Sequence, residues 1–299
     1  MPFTPLTASF ALILGGCLWG IYWVPIGHLE QLGLIGASAG IAIYLACLLI
    51  LSPLIWRNRF ILITKWRLLL LSGLLTGTAF SLFTTSLAYT DVIRAILLFY
   101  LTPVWATLLG LAFLNETITK ARILVIMLAF TGLYVILSDG GGLPLPRNLG
   151  DIFALLSGMF WAVGSLGLLR AQSVPASAQM IVFLLGGVCV SFVTLLLMSG
   201  DKLITLYMVD FSAVAPYALL YGLYVIPMIW LTIAPARILS PTRVGILLMS
   251  EVVVGAISAA LLSGELFGMR ETIGTILVIA AALAEISSTR KVRAGYPQH

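Results

Sequence analysis

Arg94–Glu116 reads RAILLFYLTPVWATLLGLAFLNE, and Arg243–Glu265 reads RVGILLMSEVVVGAISAALLSGE. Each stretch opens on an arginine, runs through mostly apolar residues and reaches a glutamate 22 positions later. The copies lie in opposite halves of the chain. Repetition of a long apolar segment with matching ends marks an internal duplication.

Composition says where such segments can sit. Hydrophobic residues make up 61% of the 299 positions and charged residues 9%, against about 25% charged in an average soluble domain. Mean hydropathy is +1.13, too high for every apolar side chain to find a water-soluble core. A spanning helix takes about 20 apolar residues, so ten would consume most of the chain and leave no room for a soluble catalytic domain. Cys17, Cys47 and Cys189 lie in apolar runs without metal-clip spacing and read as small buried hydrophobes. The start, MPFTPLTASF, lacks the basic region of a cleaved signal peptide.

Hydropathy places spans at 8–27, 33–55, 66–88, 92–114, 121–138, 149–168, 177–199, 212–233, 239–263 and 271–288. Backbone groups in lipid have no water to bond, so these runs are expected to be helical. The fold class is therefore an all-α integral membrane protein. Twelve of the 16 Lys and Arg residues fall on the side that holds both termini, and Arg94, Arg147, Lys202 and Arg270 fall on the other. This bias puts both ends in the cytoplasm. The basic residues are spread over short loops, which reads as topology rather than as a nucleic-acid surface.

The Gly- and Pro-rich stretch Ser138–Asp151 divides the chain into 1–138, a linker at 139–150, and 151–299. Five spans on each side is an odd number, so the second half enters the membrane inverted relative to the first. GGCLWGIY at Gly15–Tyr22 also matches SGMFWAVG at Ser157–Gly164, setting Trp19 opposite Trp161. Inverted repeats around a central cavity are a construction of secondary transporters.

Several side chains fit such a cavity. Glu251 is a carboxylate in mid-span, where a charge costs about 2.5–3.5 kcal/mol and must face protein or water. Gly255 and Ser258 continue its face. It reads either as a proton or amine site, or as a carboxyl packed between helices, protonated or paired with Arg243. Tyr217, Tyr221, Tyr224 and Met228 form one stripe of a helix. Trp19, Tyr22, Phe80, Phe83, Tyr100 and Trp161 add aromatic walls, which suit a small amphipathic ligand and equally suit packing. The pairs Gly16–Gly20, Gly36–Gly40, Gly73–Gly77 and Gly264–Gly268 are spaced for close helix approach. His28 reads as a solvated residue of the first outer loop. Glu116 and Glu265 read as interfacial caps.

Through Trp19-Gly20, Leu101-Thr102-Pro103-Val104, Leu114–Thr119, Trp161 and Gly264-Glu265, the chain resembles the drug/metabolite transporter superfamily. Within it, the likeness is to ten-helix members with two tandem EamA-type repeats, and it covers about 6–138 and 150–287. The second copy departs in having Ser250-Glu251-Val252 where the first has Leu101-Thr102-Pro103. The chain looks most like the bacterial aromatic amino-acid exporters of the YddG type. That resemblance implies export of amino acids, aromatic and other apolar ones favoured, and of related metabolites across the bacterial inner (plasma) membrane. The expected substrate-binding set is Trp19, Tyr22, Phe80, Phe83, Tyr100, Trp161, Tyr221, Tyr224 and Glu251, and the energy source is either the substrate gradient alone or proton exchange through Glu251.

No phosphate-binding loop, HExxH pair or nucleophile–base arrangement is present in the sequence, so no enzyme activity and no cofactor are expected. A drug or nucleotide-sugar carrier of the same superfamily is the alternative. An intramembrane enzyme and a non-transporting membrane scaffold stand behind it.

Overall fold

The computed structural model describes residues 4–34, 37–90, 95, 98–113, 119–137, 146–198, 209–263, 268–269, 272–277, 279–281 and 284. Among them every element is helical. Arg94, Glu116, Glu265, most of the linker and the carboxyl-terminal tail lie outside the described residues.

Helix α1 (Pro5–Trp19) starts at Thr4, whose hydroxyl accepts from the Thr7 amide, with Pro5 at the first position. It breaks at Gly20, and α2 (Trp23–Gln31) resumes. Helix α3 (Ala37–Ile50) is followed by α4 (Ser52–Thr64) at an angle of 84°. Helix α5 (Trp66–Leu69), a π-turn at Leu70–Leu74 and α6 (Leu75–Ser86) form one run. Then come α7 (Thr102–Phe113), α8 (Lys120–Leu137), α9 (Leu149–Arg170), α10 (Ala176–Met198), α11 (Phe211–Ala236), α12 (Pro241–Leu248) and α13 (Ser250–Ser263).

Among the described residues five runs are long and apolar enough to cross a membrane: Pro5–Gln31, Trp66–Ser86, Leu149–Arg170, Ala176–Met198 and Phe211–Ala236. The expected span 33–55 is corrected. Its helix stops at Ile50, because Pro53 donates no backbone hydrogen bond and Arg57 and Arg59 follow. The expected span 239–263 is two helices, α12 and α13, interrupted at Met249. His28 belongs to α2, not to a loop, and its Nδ1 lies 2.8 Å from the Tyr221 hydroxyl.

The halves interlock. Helix α6 packs on α9 and α10, α3 on α10 and α11, α1 on α11 and α13, and α7 on α9 and α12. Glycine makes the closest approaches: a Cβ on Gly73 would lie 2.7 Å from Val182 of α10, and one on Gly20 would lie 2.6 Å from the Glu251 carbonyl oxygen.

Asp151 ties the start of α9 to the end of α6. It is fully buried and accepts from the Thr90 hydroxyl at 2.6 Å and the Arg147 amide at 2.8 Å. Removing a hydrogen-bonded buried acceptor strands its donors, at about 1–3 kcal/mol. Asp151→Ala is therefore expected to melt several degrees below the parent protein in detergent, and Asp151→Asn by less.

Candidate functional site

A pocket with about 380 Å³ of empty space, part of it open to solvent, lies where the helices are interrupted. Trp19 closes α1, and Leu248 and Glu251 flank the α12–α13 break. Ala79, Phe80 and Phe83 come from α6, Trp161 from α9, Phe183 from α10 and Thr232 from α11, with Phe99 just before α7.

The walls are aromatic. The Trp19 ring meets Phe80 edge-on at 4.7 Å between centroids, and Phe80 lies 5.3 Å from Phe183. Phe83 lies 5.1 Å from Phe99. Behind this surface, Tyr22 and Tyr44 pack on Phe80 at 5.3 and 4.9 Å. Edge-to-face and offset pairs are each worth about 0.5–1.5 kcal/mol beyond burial, so the wall is stiff without ligand.

Polar groups are few. The indole N–H of Trp19 donates to the Thr232 hydroxyl at 2.9 Å, which in turn donates to the Met228 carbonyl. Tyr224 donates to the Leu18 carbonyl. Both contacts hold the end of α1 against α11. Trp161 also lines the cavity, and its indole N–H finds no acceptor among the described residues.

Glu251 sits in the first turn of α13, where the helix dipole favours a negative charge. Tyr100 places its hydroxyl 2.6 Å from Glu251 Oε2 and 2.8 Å from the Leu248 carbonyl oxygen. One hydroxyl hydrogen serves one of those acceptors at a time. Arg243 does not pair with Glu251: it donates to the Ser9 hydroxyl at 2.6 Å.

Of the residues expected from sequence, Trp19, Phe80, Phe83, Trp161 and Glu251 line the cavity. Tyr100 and Tyr22 form the layer behind it. Tyr224 braces α1, and Tyr221 turns to His28, away from the lining. Ala79, Phe99, Phe183, Thr232 and Leu248 were not anticipated. A signal existed for Thr232, which extends the 217–221–224–228 stripe by one more turn. Phe183 gave none, because its helix is apolar on every side.

The sequence model of the EamA-like transporter family matches residues 6–138. This supports a membrane transporter of the drug/metabolite transporter superfamily, and the family is one of transporters rather than enzymes. No curated protein matches the chain. Among 27 solved chains that match, one superposes with a TM-score of 0.69 at 17% identity, covering 98% of this chain and 99% of its own, a likeness of fold alone.

Proposed function

We propose that the protein is a secondary transporter that exports amino acids, with aromatic and other apolar ones favoured, and related small metabolites by alternating access. The carrying observation is the aromatic-walled cavity with, among the described residues, a single carboxylate in its lining, set between two interlocked halves. An aromatic side chain would stack against Phe80 and Phe183, and Glu251 would meet the ammonium. Among the described residues the lining holds no cation, which disfavours a phosphate-bearing substrate such as a nucleotide sugar.

In this reading the chain forms ten spans as two inverted five-helix repeats, 1–138 and 151–299, joined by 139–150. Both termini lie in the cytoplasm of a bacterial inner membrane. Helix pairing supports the repeat. If each span is numbered in order, the contacts of α1 with α11 and of α6 with α9 exchange when every span is moved five places on. The contacts of α6 with α10 and of α3 with α11 exchange in the same way, and the pairing of α3 with α10 maps onto itself.

The test is counterflow of labelled phenylalanine in liposomes carrying the purified protein, repeated across a panel of amino acids. Accelerated exchange of apolar and aromatic members is expected, and no exchange of any member would remove the substrate assignment.

Tyr100 supports a proton role for Glu251. When ionised, Glu251 receives the Tyr100 hydrogen. When protonated, it donates to the Tyr100 oxygen and frees that hydrogen for the Leu248 carbonyl. Among the described residues, Cys17 and Tyr224 also stand near this end of α13. Glu251→Gln is expected to abolish acceleration of flux by an imposed pH gradient. An unchanged gradient response would leave the substrate gradient alone as the driving force.

A further inference from the structure

Helix α4 lies outside the transport cavity and has a distinct surface. The 84° turn after α3 lays it across the end of that helix rather than along it. If α3 spans the bilayer, α4 lies in the plane of the interface. Its inner face is anchored. Buried Asn58 accepts from the Ser177 hydroxyl at 3.4 Å, and Ile61 and Leu62 pack on Leu69, Val174 and Ala178.

The outer face is apolar and cationic together. Trp56, Phe60 and Ile63 recur at i, i+4 and i+7 and are 70%, 66% and 70% exposed, far more than single surface hydrophobics in water would explain. Arg59 stacks over Trp56 at 4.1 Å and over Phe60 at 4.7 Å, and Arg67 lies over Trp66 at 5.4 Å. Arg57 and Lys65 complete four cations, and no acidic residue occurs between Glu30 and Asp91. Aromatic rings belong at the headgroup level, and interfacial helices of this pattern bind anionic surfaces.

The geometry points to α4 and the turn into α5 as an anionic-phospholipid binding surface: Trp56, Phe60 and Ile63 enter the acyl boundary while Arg57, Arg59, Lys65 and Arg67 hold lipid phosphates. Each cation near a charged membrane adds about a factor of five, so four that act even partly together give a preference of about tenfold or more. An acidic protein surface could supply the opposite charge but gives no reason for three large apolar residues to stand at interfacial depth.

The test uses the full-length protein in neutral detergent, with phosphatidylglycerol or phosphatidylcholine added at equal mole fraction. Phosphatidylglycerol is expected to raise the melting temperature more than phosphatidylcholine does. R57Q/R59Q/K65Q/R67Q should lose that difference, and R290Q/K291Q/R293Q should keep it. Equal shifts with both lipids, retention of the difference in the first variant, or the same shift with inorganic phosphate would each overturn the proposal. Brominated lipids give an arm that needs no charge variant. Brominated phosphatidylglycerol should quench tryptophan emission more than brominated phosphatidylcholine, and Trp56→Phe should remove the excess. Equal quenching contradicts the assignment.

Discussion

Gly77→Leu is expected to yield no folded protein in the membrane fraction. A Cβ at Gly77 would run into the carbonyl oxygen of Phe183 and lie 2.8 Å from the amide nitrogen of Gly187. These are backbone atoms of α10 and cannot swing aside as a side-chain end can. Separating α6 from α10 would also pull Phe80 away from Phe183, so packing and cavity fail together. Overpacking of this kind costs more than about 3 kcal/mol when nothing can yield. Gly27→Ala is the control. No atom lies within 4 Å of a Cβ there, and alanine gains up to about 1 kcal/mol of helix propensity. Its melting temperature should hold or rise. Folded Gly77→Leu at parental yield would show that α6 and α10 need not approach so closely.

Glu251→Ala should do the opposite, leaving the fold and removing the flux. Tyr100 keeps the Leu248 carbonyl as an acceptor when the carboxylate is gone, so no buried donor is stranded. The substrate ammonium, by contrast, loses the only carboxylate that the described residues bring to the cavity lining. A hydrogen bond to a charged group is worth about 1.5–3 kcal/mol, which corresponds to a fall in counterflow of roughly ten- to 150-fold. Thr232→Val should cost less, because it removes the acceptor for Trp19 without touching charge. Near-parental counterflow in folded Glu251→Ala would place substrate recognition elsewhere.

Residue type carried much of this to the surface of the sequence. A carboxylate amid apolar residues announced Glu251, since only a polar surrounding offsets its desolvation. Gly16–Gly20 and Gly73–Gly77 announced close helix contacts, and both sit against neighbouring backbone or side chains in the fold. Matching tryptophans at 19 and 161 announced two positions that face one cavity. What stayed hidden depends on neighbours that sequence does not order. Helix α10 is apolar all round, so periodicity could not say that Phe183 faces inward. The pairing of Tyr100 with Glu251 joins residues 151 positions apart. The turn after Ile50 was blurred because Leu54 and Ile55 continue the apolar run past it. His28 looked like a loop residue because its partner, Tyr221, lies 193 positions away.

In the proposed mechanism one cavity opens to each side of the membrane in turn. Its most direct test is Ala79→Cys in a protein whose Cys17, Cys47 and Cys189 have been replaced, held in vesicles of uniform orientation. A membrane-impermeant thiol reagent is added to one face or the other, with and without phenylalanine. Alternating access predicts modification from both faces, with phenylalanine changing the two rates. Modification from one face alone, whatever the substrate, would contradict it.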